Sequence, residues 1–365
     1  MLMQSFVIPI IKVTDSCNFK CKFCYYAQRA LHSKLMSANL CKKIIEDTFE
    51  YNIRNDNSVM RVIFHGGEPL LQPIAFYEEI FQFEKALSKR HPMKFLHSIQ
   101  TNGYNIDQDW IRLFKREDVD VGISIDGPAE LNQHFNASGP ESCTNRVLRN
   151  IKMLSDADVP FGVISVITNR HTAHAETMYR FCKENGIHDL SLNFCYNNES
   201  DDSVANDRLI PFLKELFHYY FYGDYPLNIR EFNEIIAKMS GYTSDTCATC
   251  NRENCGQYMA FDSCGNVFFC DNAYEKSSAI GNLHNTSLYD IIDSTKYLET
   301  IIKSRKAYED HCQRCDVSHI CGSGCYRYDN PTGDNYFCPT MKSICRFIMN
   351  EVAKANGEAQ SQPRE

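Results

Sequence analysis

Eleven cysteines fall between Cys247 and Cys345, and three more stand close together at Cys17, Cys21 and Cys24. Nothing else in the sequence constrains the fold as strongly. The stretch from Cys247 to Cys345 is built of short turns and glycines, with too little apolar periodicity for a conventional core, so another element must organise it. Two chemistries do this for cysteine-rich chains, disulfides and metals. The 18 cysteines of this 365-residue chain are too dilute for a small disulfide scaffold. The opening MLMQSFVIPIIKV has no basic segment and no small-residue cleavage site, so a secretory signal is not expected. A cytoplasmic location follows, with thiols kept reduced and metal binding or catalysis favoured.

Composition narrows the partners. With 46 acidic against 38 basic residues the formal charge is −8, which argues against nucleic acid or an anionic membrane surface. No apolar run approaches the ~18 residues of a spanning helix.

Before the cysteine-rich region, strand-like and helical patterns alternate. Strands are expected at Phe6–Val13, Arg61–His65, Lys94–Gln100, Asp120–Ile125, Phe161–Thr168 and Leu190–Phe194. Helices are expected at Ser37–Tyr51, Pro73–Lys89, Asp107–Lys115, Ser142–Leu154, Thr172–Asn185 and Asp207–Tyr222, with a short one at Phe232–Met239. Ser37 reads as an N-cap and Gly186 as a C-terminal cap. Six strand–helix units imply an α/β fold with a parallel sheet and right-handed crossovers, two units short of a closed barrel. The expected fold class is a partial (β/α)6 TIM-like barrel followed by a cysteine-rich domain. The expected boundaries are residues 1–235, 236–350 and a polar tail at 351–365, whose closing GEAQSQPRE should fray.

Cys17, Cys21 and Cys24 form C-x3-C-x2-C directly after the first strand, with no fourth cysteine before Cys41. A [4Fe–4S] cluster normally takes four thiolates, so three leave one iron open to a small ligand. The alternatives are a zinc knuckle completed by His32, or three unrelated thiols. The phrase Cys17-Asn18-Phe19-Lys20-Cys21-Lys22-Phe23-Cys24-Tyr25 resembles the radical S-adenosylmethionine (radical SAM) superfamily, whose six-unit partial barrel agrees with the strand count. The resemblance implies that the SAM methionine chelates the open iron. It also implies that one-electron reduction releases a 5′-deoxyadenosyl radical, which abstracts hydrogen from the substrate.

Further positions carry the likeness. Gly66-Gly67-Glu68-Pro69 resembles the family's GGEP motif, implying that Gly66, Gly67 and Glu68 hold the methionine amino group, the glycines letting the ligand approach. Phe23 resembles the aromatic beside the adenine, and Ser124, in Ser124-Ile125-Asp126-Gly127-Pro128, the ribose contact. Gln100-Thr101-Asn102-Gly103 matches another family motif. Relatives often carry an arginine facing the SAM carboxylate where this chain has Asn136; either Asn136 fills that role or Arg146 or another cation does.

The C-terminal cysteines read Cys255-x9-Gly265-x4-Cys270, then Cys312-x2-Cys315-x5-Cys321-x3-Cys325, then Cys338. This resembles the SPASM domain, which carries two auxiliary [4Fe–4S] clusters; paired C-x2-C units also suit zinc. Carried across, the resemblance gives the first cluster Cys250, Cys255, Cys270 and Cys325, and the second Cys312, Cys315, Cys321 and Cys338. Cys247 could replace Cys250, and Cys345 could replace Cys338. Asp271, after Cys270, resembles the proposed base of anaerobic sulfatase-maturating enzymes; alternatively it caps a turn with Asn272.

The expected cofactors are three [4Fe–4S] clusters and S-adenosylmethionine. The expected partners are a peptide or protein substrate and a one-electron reductant such as a flavodoxin or ferredoxin. The leading expectation is a peptide maturase that installs a thioether or carbon–carbon crosslink in a ribosomally made peptide, the auxiliary clusters taking the electron. The alternative is a sulfatase-maturating enzyme that oxidises Cys or Ser to formylglycine. A structural zinc module is a third class.

Overall fold

The computed structural model describes residues 6–21, 23–24, 34–196, 202–244, 246–271, 278–330 and 334–361, side chains at 305–311 and 358–361 apart. Tyr25, His32 and Asn272, named above, lie outside the described residues. In chain order the elements begin β1 (Ile8–Lys12), α1 (Ala38–Arg54), β2 (Val59–His65), α2 (Ile74–Arg90), β3 (Lys94–Thr101) and α3 (Gln108–Glu117). They continue β4 (Val119–Ser124), α4 (Pro140–Asp156), β5 (Phe161–Ile167), α5 (Ala175–Glu184), β6 (Asp189–Phe194), α6 (Asn206–Tyr222), β7 (Asn228–Ile229) and α7 (Arg230–Met239). The cysteine-rich part adds β8 (Tyr258–Phe261), β9 (Asn266–Phe268), β10 (Gly281–Asn282), α8 (Leu288–Ile292), α9 (Thr295–His311), α10 (Ser318–Cys321) and α11 (Cys338–Ser361).

The six expected strand–helix units are present as β1–α1 through β6–α6. Ser37 caps α1, its hydroxyl accepting from the Leu40 N–H at 3.2 Å. Gly186 follows α5 at φ +65°, the left-handed geometry of a helix C-terminus. The tail differs from expectation. Helix α11 runs on through Ser361, so much of GEAQSQPRE is helical.

The chain divides into two compact units, residues 1–165 with 255–303, and 166–254 with 304–365. In unit 1 the strands lie in the order β10-β9-β8-β1-β2-β3-β4-β5. Strands β1 to β5 pair in parallel, β8 adds parallel to β1, and β9 and β10 follow antiparallel. Thus part of the cysteine-rich segment extends the barrel sheet beside β1, which its short runs did not reveal. Strand β1 is buried along its whole length, as a central parallel strand should be. Behind the sheet, Phe64, Tyr77, Phe81 and Trp110 stack edge to face, and Tyr77 donates to the Pro69 carbonyl at 2.8 Å. The sequence left Trp110 without a role; it is core.

Among the described residues, unit 2 has little sheet: the parallel pair β6–β7 and an isolated antiparallel bridge between Asp329 and Asn335. Its core is aromatic: Phe217 of α6 meets Phe232 of α7 and Phe347 of α11 at ring separations of 5.2 and 5.7 Å. No helix of the described residues is long and apolar enough to cross a membrane.

Candidate functional site

The carboxyl ends of parallel strands are where barrel folds gather reactive groups. In unit 1 four such ends converge. After β1 comes the loop with Cys17, Cys21 and Cys24, none of which forms a disulfide among the described residues. Cys24 packs against Ile10, Ala260 and Phe268 of three neighbouring strands. The loop after β2 zips onto it: Gly67 N–H donates to the Thr14 carbonyl and Glu68 N–H to the Ser16 carbonyl, each at 2.8 Å. A Cβ on Gly66 would strike the Thr14 carbonyl oxygen, and one on Gly67 that of Ser16. The glycines therefore admit the backbone of the cysteine loop itself, a nearer partner than the ligand expected from the sequence.

Glu68 is 1% exposed. Its Oε1 accepts from Leu70 N–H at 2.9 Å and from the Thr101 hydroxyl at 2.6 Å, and its Oε2 from Asn102 N–H at 2.8 Å. Burial pushes its carboxyl up to about 7, against these three donors. Glu68 thus ties the end of β3 to the loop after β2, and Asn102 carries the tie onward by donating to Asn18 of the cysteine loop at 2.7 Å. At the end of β4, the Ser124 hydroxyl accepts from Gln100 Nε2 at 2.9 Å.

The segment after β4 reaches the same loop. Lys20 N–H donates to the Phe135 carbonyl at 2.9 Å, and the Phe23 ring meets His134 edge-on at 5.2 Å. His134 Nδ1 lies 3.2 Å from Cys21 Sγ and its Nε2 3.0 Å from Asp126 Oδ1. Burial pulls the imidazole toward neutrality, but Asp126 and Cys21 more than reverse this, holding it well above the ordinary histidine range. Asn136 is otherwise engaged: its Oδ1 accepts from Ser138 N–H at 2.8 Å and from the Cys143 thiol at 3.3 Å. Arg146 lies over the Tyr104 ring at 4.1 Å, and that ring packs against Phe19 of the cysteine loop at 5.4 Å.

Lys12 was missed by sequence reasoning. It ends β1, is fully buried, and pairs with Asp271 at 2.5 Å. The signal was a lone cation closing an apolar strand, since a buried ammonium needs a partner. His65, opposite Lys12 in the sheet register, accepts from Gly66 N–H at its Nδ1, 2.6 Å away. Burial and then Lys12 hold His65 down to about 4, so it is neutral at physiological pH.

In unit 2, Cys312, Cys315, Cys321 and Cys338 line one cavity of ≈ 120 Å³ together with Ser323, Asn335 and Lys342. Burial first, and then Cys338, Cys312 and Cys315, push the Cys321 thiol up to about 12. Thiols crowded this way fit a cationic centre that would deprotonate and neutralise them. Cys345 is fully buried and outside the lining of this cavity, which favours Cys338 as the fourth member. The segment is held by Arg252, 3% exposed. Its guanidinium donates to the carbonyls of Ser304, Ser323 and Gly324 and makes a two-point pair with Asp329 at 2.6 and 2.9 Å. Of the other expected set, Cys255 and Cys270 belong to unit 1, Cys250 and Cys325 to unit 2. Cys250 is buried and Cys247 exposed. Among the described residues no three His, Cys, Asp or Glu side chains gather tightly enough for a single metal ion.

Comparison with known proteins identifies the two regions that carry these cysteines. The family model of the radical SAM superfamily matches residues 11–182, and that of the SPASM iron–sulfur cluster-binding domain matches residues 247–316. A cysteine-type anaerobic sulfatase-maturating enzyme of Clostridium novyi is 27% identical over 96% of this chain and 96% of its own length. A serine-type anaerobic sulfatase-maturating enzyme of Bacteroides thetaiotaomicron is 24% identical over 93% and 91%. The solved structure of native anSMEcpe with bound AdoMet and Cp18Cys peptide superimposes with a TM-score of 0.84 at 23% identity, over 97% of this chain and 99% of that one.

Proposed function

This chain is a radical SAM enzyme with a SPASM domain, and from that premise we propose that it oxidises a Cys or Ser side chain of a protein substrate to formylglycine. The observation that carries the reading is the near end-to-end match to sulfatase-maturating relatives, cysteine-type and serine-type alike. It favours this reading over the crosslinking maturase that the sequence put first, since the two activities share their motifs. The sharing has a physical reason: the C-x3-C-x2-C loop and the SPASM cysteines specify cofactors, and cofactors do not specify the bond made.

Cys17, Cys21 and Cys24 hold the catalytic cluster. Cys312, Cys315, Cys321 and Cys338 would hold one auxiliary cluster; the set Cys250, Cys255, Cys270 and Cys325 for the other rests on sequence resemblance alone. When bound, the reduced cluster and S-adenosylmethionine supply the radical that takes one hydrogen atom from the substrate Cβ, and the auxiliary clusters accept the electron left behind. Phe23 would lie against the adenine, Ser124 would meet the ribose, and the Gly66–Glu68 loop would face the methionine amino group. Asn136, through its amide N–H2, or Arg146, through its guanidinium, would meet the SAM carboxylate. Ser yields the aldehyde directly, whereas Cys yields a thioaldehyde that water hydrolyses to the aldehyde with release of hydrogen sulfide. The two-electron oxidation also releases one proton, and Asp271 accepts it. Lys12 fixes that carboxylate from a fully buried position, so the acceptor is oriented before substrate arrives.

The test is anaerobic incubation of the reconstituted enzyme with SAM, a reductant and peptides that differ only in Cys, Ser or Ala at one position. The expected product of the Cys or Ser peptide is an aldehyde trapped by a hydrazine. A peptide that loses two hydrogens without yielding an aldehyde would return the reading to crosslinking.

A further inference from the structure

We propose that His134, braced by Asp126, is a positioning residue that donates a hydrogen bond to the Cys21 sulfur and so raises the reduction potential of the cluster this loop binds. The proposal rests on the reading that Cys17, Cys21 and Cys24 hold that cluster.

The geometry is specific. Both ring nitrogens face acceptors, Nδ1 toward Cys21 Sγ at 3.2 Å and Nε2 toward Asp126 Oδ1 at 3.0 Å. An iron-bound cysteine is a thiolate, an acceptor only, and so is a carboxylate. The contact to the Cys21 thiolate therefore places an N–H on Nδ1, with Nε2 held against Asp126. The ring is also fixed in place. Asn132 Oδ1 accepts from the backbone N–H of Asp126 at 3.3 Å and of His134 at 3.2 Å, and its amide donates to the Thr144 hydroxyl at 2.8 Å. Asp126 is fully buried and His134 is 9% exposed, with Phe23 packed edge-on against the ring. In so dry a setting a charge-assisted hydrogen bond acts at nearly full strength.

Reduction adds an electron to a cluster whose negative charge is spread over its sulfurs. A donor aimed at one of those sulfurs stabilises the reduced state more than the oxidised one, and hydrogen bonds to sulfur are among the terms that set such potentials. His134 would thus govern how easily a one-electron donor charges the catalytic cluster, without touching substrate.

Two measurements on the reconstituted holoenzyme decide this. In protein labelled with 15N-histidine, the reduced cluster whose EPR signal changes on SAM addition should show a 15N coupling, and the coupling should vanish in His134→Gln. In EPR-monitored potentiometry, His134→Leu should shift the reduction equilibrium of that cluster about tenfold toward the oxidised state, a fall of about 59 mV for one electron. His134→Gln, which keeps an amide donor, should recover part of the shift, and the auxiliary potentials should stay where they are. Absence of 15N coupling in the wild type, or an unmoved potential in His134→Leu at full iron content, would overturn the proposal. If His134→Leu fails to hold iron, the wild-type coupling decides alone. Loss of the SAM-dependent EPR change in the wild type would instead overturn the underlying assignment of the cluster.

Discussion

The thiols of unit 1 and those of unit 2 are held by different means. Cys17, Cys21 and Cys24 follow a buried parallel strand, and their loop is clamped by groups at the ends of β2, β3 and β4: the Gly66–Glu68 backbone, Asn102 and His134. Cys312, Cys315, Cys321 and Cys338 line a cavity in a segment with hardly any sheet, and the carbonyls of Ser304, Ser323 and Gly324 converge on one guanidinium. A sheet distributes the work of positioning over many backbone bonds. A loop region concentrates it in one buried side chain, so the two sites should fail differently when challenged.

The largest effect is expected at Arg252. Arg252→Met removes every Arg252 bond to those three carbonyls and leaves Asp329 with the Asn335 amide in place of its cation, and breaking a buried pair costs about 3–5 kcal/mol. Denaturation should show that loss, and iron analysis a fall of roughly a third if one of three clusters is lost. The SAM-dependent EPR signal of unit 1 should persist.

Glu68→Ala comes next. It leaves Leu70 N–H, Asn102 N–H and the Thr101 hydroxyl without their acceptor, each worth about 1–3 kcal/mol when buried. Glu68→Gln sharpens the point through pH. The folded carboxyl titrates near 7 against an ordinary 4.5, so the fold binds this proton more tightly than the unfolded chain does. Its contribution is greatest below about 4.5 and is lost as pH rises through about 7. Between pH 5 and 8 the wild type should lose on the order of 1–3 kcal/mol relative to Glu68→Gln. Parallel denaturation curves at the two pH values check this.

Gly67→Ala is expected to cost about 1–3 kcal/mol, because the new methyl meets the rigid Ser16 carbonyl and forces the cysteine loop off the β2 turn. Iron at the unit 1 centre should fall with it, while unit 2 keeps its own. The smallest effect belongs to Ser37→Ala, which removes one cap bond far from either thiol set and costs about 1 kcal/mol, with both sites intact. A Ser37→Ala chain that lost iron would undo the separation between fold stability and site integrity.

The same contrast explains what could be read from the sequence. Strand β2 alternates buried and half-buried residues, and the run Ile8–Lys12 is apolar up to its last residue, so period and run length exposed the strand–helix units and the strand ends of unit 1. Cysteine spacing is equally local, and the candidate ligand sets were read from it. Strands β8 and β9 escaped because short runs between turns look alike whether or not they join a sheet. Arg252, Lys12 and the His134–Asp126 pair escaped because their partners are distant in sequence: Arg252 bonds to Asp329, Lys12 to Asp271. Only the fold brings such pairs together. Glu68 was found as a conspicuous residue, but its three donors recast it as a brace between strand ends.

The most direct test of the account is to compare wild type with the triple variant Cys17→Ala, Cys21→Ala, Cys24→Ala after anaerobic reconstitution, measuring iron per chain and 5′-deoxyadenosine formed from SAM. The expected result is about two-thirds of the wild-type iron and no SAM cleavage, since the remaining thiols serve the other two clusters. Undiminished cleavage in the triple variant would contradict the assignment of the catalytic centre to this loop.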